Sequence, residues 1–152
     1  MSSTFDPDTF LAQTVTEAND TKVTPCPAGE FTGIVKEYKA RQWTAKNDPS
    51  NQGVTLDITW SIDDQGVKET LDRTEVTVRQ GIMLDVTEAG SLDLGKGKNV
   101  GLGRLREALG LNVPGQPFAF PMLTGQVAKL TISHRVVGED IFADVKMVTK
   151  LG

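Results

Sequence analysis

The stretch "VTLDITWSI", residues 54 to 62, alternates without a break. Val54, Leu56, Ile58, Trp60 and Ile62 fall on one side of an extended chain and Thr55, Asp57, Thr59 and Ser61 on the other. A two-residue period in β-branched and aromatic residues predicts a strand with one buried face, and a half-buried strand is stable only inside a larger sheet. The rest of the chain must therefore supply partner strands. "FTGIVKEYKARQW", from Phe31, reads as a long, bent one. Left unbroken it puts Ile34, Lys36 and Tyr38 on one face and Val35, Lys39, Arg41 and Trp43 on the other, although Gly33 invites a bulge that would reset the phase. "TAKNDPSNQG" reads as a flexible loop and "DDQG" as a turn. A third strand is expected from Thr70 to Gln80, with Val76 and Val78 on one face and Arg73, Glu75, Thr77 and Arg79 on the other. "VAKLTISHRVV", with Ala128, Leu130, Ile132 and Val136 inward, and "DIFADVKMVTKL" close the chain as a hairpin through "GED".

Between the third and fourth strands the period changes. Leu102, Leu105, Ala108 and Leu109 form an i, i+3, i+4 stripe that predicts a short amphipathic helix flanked by Arg104 and Arg106. Gly110 suits a left-handed C′ position, Leu111 can fold back on Leu105, and Pro114 blocks resumption. Three strands, a helix and two strands is the order of the OB-fold, and the expected class is mainly β: a five-stranded OB-fold-like Greek-key barrel with one short helix between strands 3 and 4. The competing architecture is an unrelated β-sandwich or jelly-roll fragment.

With 152 residues the chain makes one domain, able to bury about two-thirds of its unfolded surface. Residues 1–28 read as a mobile N-terminal arm with one short helix, capped by Asp6 with Pro7 at its first position, and residues 29–152 as the barrel domain. No run approaches the length of a membrane span and no secretory signal is evident, so a cytoplasmic location is expected, the host's if the chain is phage-encoded. One cysteine, Cys26, and one histidine, His134, leave no disulfide, no zinc cluster and no Ser-His or Cys-His site of the usual kind, so neither catalysis nor a cofactor or metal is expected.

The net charge of −4 argues against a polyanion partner only until it is divided. Residues 1–30 hold five carboxylates against one lysine, which accounts for all of it. In the neutral remainder Lys36, Lys39, Arg41 and Lys46 cluster against Glu37, and Lys96, Lys98, Arg104 and Arg106 against Glu107. The second cluster lies in "GKGKNVGLGRLREALGLNVPG", residues 95–115, which looks like a phosphate-gripping loop but matches no nucleotide motif. Gly101 is followed by Leu102 and Gly103 in place of the Lys and Ser/Thr of a P-loop, and the dinucleotide spacing is one residue too long. A surface turn or a contact with a nucleic-acid backbone remains.

"CPAGEFTGIVKEYKARQW", "VTLDITWSI", "GKGKNVGLGRLREALGLN" and the closing hairpin together resemble a group of small bacteriophage single-stranded DNA-binding proteins of the OB-fold type, over roughly residues 5 to 150. The resemblance implies sequence-tolerant binding of single-stranded DNA in phage replication or recombination. Such a binder needs cations that follow the phosphates and aromatic faces on which bases stack. The candidates are Lys36, Tyr38, Lys39, Arg41, Trp43 and Lys46 around the first strand, Arg73 and Arg79 on the third, and Lys96 and Lys98 in the glycine loop. Trp60, alternating with aliphatics, belongs to the core, and Phe118 and Phe120 to a segment held against the barrel. The partners implied are single-stranded DNA and replication or recombination proteins, with self-association open. The alternative is a non-enzymatic structural or protein-interaction module of a phage particle or replication complex.

Overall fold

The alternating segments pair as antiparallel neighbours. The computed structural model describes residues 5–151, and among these the element order is α1 (Pro7–Leu11), β1 (Gly29–Ala45), β2 (Asp48–Ile62), α2 (Gln65–Thr70), β3 (Thr77–Leu84), α3 (Val100–Ala108), β4 (Val127–Val137) and β5 (Asp140–Thr149). The strands form one sheet in the order β3-β2-β1-β4-β5. The sheet curls until β3 and β5 approach across the open side, but no ladder joins them, so the expected barrel is not closed. Helix α3 packs against both of these edge strands. Its buried Leu102, Leu105 and Ala108 complete the core on that side.

The inner face holds Trp60, Leu56, Ile58, Ile62, Leu105, Leu123, Leu130, Val35 and Val76, all essentially without solvent exposure. Trp60 donates its Nε1–H to Gln80 Oε1 at 2.9 Å, which satisfies its one polar atom in the interior. Phe118 and Phe120 pack edge to face against the core margin, and the Arg106 guanidinium lies 4.4 Å from the Phe118 ring centre. Helix α3 ends as its sequence requires: Gly110 has φ +71°, Leu111 N–H bonds Arg106 O at 2.7 Å and Gly110 N–H bonds Glu107 O at 3.1 Å, the two bonds of a Schellman motif.

Four sequence expectations need correction. The bulge in β1 falls at Lys36, between Val35 and Glu37, and not at Gly33. It moves Val35 onto the same side as Tyr38 and leaves Glu37, Lys39, Arg41 and Trp43 together on the other. The segment read as a flexible loop, 44–53, is mostly hairpin, with Thr44 paired to Gln52 and only Lys46 and Asn47 outside the strands. Both edges of the hairpin are free there, so Pro49 removes no ladder bond. The third strand starts at Thr77, because Asp64 caps α2 by accepting from Val67 N–H at 3.0 Å, the helix runs to Thr70, and a turn with Asp72 at φ +53° follows before the chain becomes extended. Finally, Val136 is exposed, because β4 and β5 run past the core as a second projecting hairpin.

From Phe5 through Thr24 the N-terminal segment is exposed, and then it enters the core. Cys26 is buried, its carbonyl bonds His134 Nε2 at 2.8 Å, and Thr24 O accepts from Arg73 at 2.9 Å. Burial pushes the Cys26 thiol above its ordinary pKa, with Asp64 adding to the effect, and keeps it protonated.

Candidate nucleic-acid interface

In an antiparallel pair, directly opposed residues share a face, so the registers of β1, β2 and β3 sort every candidate. Tyr38 opposes Ile58 and rests half-buried against the core. Across the sheet the opposite face carries rows that run through all three strands: Glu37, Thr59 and Arg79; Lys39, Asp57 and Gly81; Arg41, Thr55 and Met83. Trp43 follows, opposed to Gly53. Lys39, Arg41, Trp43 and Arg79 thus share one outer surface, and Tyr38 does not belong to it. The two aromatics are five residues apart, an odd number, which places them on opposite faces of any strand uninterrupted between them.

Trp43 has an unusual seat. A Cβ built on Gly53 would lie 2.7 Å from Trp43 Cζ2, 2.8 Å from Cε2 and 2.9 Å from Nε1. Three ring atoms this close mean that the indole packs directly against the glycine, where any side chain would displace it. The Nε1–H is covered and has no acceptor, a cost a packing tryptophan normally avoids. The two cation–π contacts of the described residues lie elsewhere, at Arg106 with Phe118 and Arg135 with Phe142.

The cations around this ring differ in freedom. Arg41 bonds Asp57 through Nε at 2.9 Å, and this carboxylate holds the guanidinium above its ordinary pKa. Lys36, the bulge residue, is paired with Glu75, which raises its ammonium pKa and draws it away from the Trp43 face. Lys39 and Arg79 are exposed and make no ion pair among the described residues. Lys46 stands at the turn of the β1–β2 hairpin. Arg73 precedes β3 and lines the β3/β5 seam, as Arg79 does.

The glycine loop is built from within. Asn99, with φ +53°, accepts from Asp85 N–H at 2.8 Å and donates through Nδ2 to Asp85 O and Asp93 O, each at 2.9 Å. Asp85 in turn accepts from Asn99 N–H at 2.8 Å, and Asp93 from Gly95 N–H at 2.9 Å. Carboxylates therefore already hold two of the amides that a nucleotide phosphate would need. Lys96 and Lys98 project from this latch exposed. The loop leaves β3 after Leu84, which pairs with Val54, the neighbour of Gly53, and so starts from the Trp43 end of the sheet.

Gly53 and Met83 are the members of this surface that sequence reasoning missed. Gly53 lay in a segment read as loop, and Met83 beyond the expected end of the third strand. Among the described residues no group of three or more His, Cys, Asp or Glu side chains is placed to hold a metal, and no helix is long and apolar enough to cross a membrane. Comparison with protein-family models and with curated proteins gives no match, so the geometry alone carries the functional reading.

Proposed function

We propose that the chain is a sequence-tolerant single-stranded DNA-binding protein of the OB-fold type, acting in phage DNA replication or recombination. The strand order, with β3 and β5 facing across an open seam and α3 between β3 and β4, fits the partly open Greek-key barrel of that class. In such barrels the ligand lies on the face of strands 2 and 3, between the loops joining strands 1 to 2 and 4 to 5. Here those loops are the turns at Lys46–Asn47 and Gly138–Glu139.

The observation that carries the reading is the indole of Trp43, half-buried and seated against Gly53, on one outer sheet surface with Lys39, Arg41 and Arg79. An aromatic face beside cations on an outer sheet surface can stack any base while the cations follow the backbone, a combination that tolerates sequence. Affinity per chain is modest, because a single tryptophan supplies the stacking. Titration of intrinsic fluorescence with labelled-free oligonucleotides tests it. Single strands should quench Trp43 at low salt, duplex of the same sequence far less, and affinity should fall steeply with salt. Equal binding of duplex, or none, overturns it.

The protein-interaction reading has its own support in the β4–β5 hairpin, where the opposed pair Val136 and Ile141 is exposed on one face and Val137 and Phe142 on the other.

A further inference from the structure

The N-terminal segment and the lower end of the β3/β5 seam have complementary surfaces. Helix α1 has five residues and buries none of them. Phe5, Phe10 and Leu11 are 68%, 54% and 79% exposed, and the two phenyl rings lie 5.3 Å apart as a preassembled pair. A helix this short has no stability of its own in water and depends on packing against something else. Asp6 and Asp8 stand beside the rings.

Between the C-terminal halves of β3 and β5 and helix α3 lies a groove of about 1180 Å³. Met83, Met147 and Val148 line it with Arg104, Lys146 and Lys150, against the single carboxylate of Glu107, which is bonded by Asn112. The three cations make no ion pair among the described residues. Thioethers are adaptable partners for aromatic rings, and a cationic rim suits an acidic segment. Two aromatic rings flanked by carboxylates match this groove in both respects.

We propose that the arm of one copy docks in this groove of a second copy, with Phe5 and Phe10 against the methionines and Asp6 and Asp8 facing Lys146, Lys150 and Arg104. Reciprocal exchange gives a closed two-fold dimer. The chain's own groove is poorly placed for its own arm. Lys22 is tied to the β4–β5 turn, with Nζ 3.0 Å from Glu139 O and 3.5 Å from Asp140 Oδ1, at the start of β5, whereas the groove follows its end. From Asp140 to Val148 the strand covers about 26 Å at 3.3 Å per residue. The chain from Leu11 to Lys22 reaches that far only when stretched toward its full extension of about 36 Å, which costs conformational entropy.

Sedimentation velocity of the full chain without DNA, over a range of concentration and salt, tests this. A reversible, salt-weakened monomer–dimer equilibrium is expected. Phe5→Ala with Phe10→Ala, and separately Lys146→Glu with Lys150→Glu, should each raise the dissociation constant at least tenfold while the melting temperature stays near the parent's. Asp8→Lys combined with Lys146→Glu should recover most of what Lys146→Glu alone loses. A chain that is monomeric at every concentration, a dimer indifferent to both pairs, or a loss that the charge exchange does not improve overturns the proposal. So does a monomer in which the Phe5/Phe10 change moves the Met147 methyl resonance, which would place the arm in its own groove.

Discussion

Trp43 and Trp60 lie on paired strands of one sheet and on opposite faces of it, and the same side chain does different work in the two places. Trp60 is fully buried among aliphatic neighbours and its one polar atom is satisfied by Gln80. Trp43 is half-buried, rests on a glycine, and its N–H has no acceptor. The inner face is thus complete in packing and hydrogen bonding. The outer face is held in place by the finished core beneath it, with an aromatic surface and the unpaired cations Lys39 and Arg79 left over among the described residues. A sheet stabilised from one side can keep its other side for a ligand.

Removing each ring in turn is the strongest way to break this comparison. Trp60→Ala should cost about 3 to 5 kcal/mol of folding stability, from lost burial and the cavity left behind, with Gln80 losing its donor as well. Chemical denaturation measures it, and DNA affinity at temperatures where the variant remains folded should stay close to the parent's. Trp43→Ala should do the reverse. It should cost about 1 to 3 kcal/mol of single-strand affinity, as a base loses its stacking surface, with a much smaller change in denaturation midpoint. Two variants that lose stability alike and affinity not at all would make Trp43 a packing residue.

How far each tryptophan could be placed from sequence follows from what surrounds it. Trp60 sits in five alternating apolar positions, and the period alone puts it inside. Helix α3 was equally legible, because stripe, C-terminal glycine and proline all agree. The phase of β1 was not. Its bulge falls at Lys36, a residue with no local mark of irregularity, and the ion pair with Glu75, 39 residues away in sequence, appears only in three dimensions. Gly53 was hidden for the opposite reason: "DPSNQG" has every composition cue of a loop, yet free hairpin edges tolerate its proline and the glycine is needed under an indole ten residues earlier. The open seam between β3 and β5 has no sequence signature either, since closure depends on how far the whole sheet curls.

A subtler variant keeps the ring and disturbs only its seat. Gly53→Ala places a methyl group where three atoms of the indole now lie, at 2.7 to 2.9 Å, so the ring must lift or rotate off the sheet. The strand itself should gain slightly from the lost glycine entropy, and the net stability change should stay within about 1 kcal/mol. Affinity for single strands should fall by less than in Trp43→Ala, because a displaced ring still offers a π-face but no longer a fixed one. The emission maximum of Trp43 should shift to longer wavelength as the ring enters water. An unchanged spectrum in a Trp60→Phe background, where Trp43 is the one emitter, would mean that the glycine is not its seat.

The smallest effect belongs to the glycine loop and sets the outer limit of the binding face. Lys96 and Lys98 are exposed on a loop that Asp85, Asp93 and Asn99 hold together without them, so changing both to Ala should leave the melting temperature unmoved. If the loop, which starts from the Trp43 end of the sheet, reaches the backbone of a bound strand, each lost phosphate contact lowers the slope of log affinity against log salt by about 0.7. The loss should be alike for all base sequences, in contrast to Trp43→Ala, whose cost should vary with the stacking strength of the base. A double variant whose salt slope equals the parent's would confine the interface to the strands. Saturable binding of a free nucleotide, abolished by the same two changes, would instead return the loop to the phosphate-gripping role that its two carboxylate-held amides argue against.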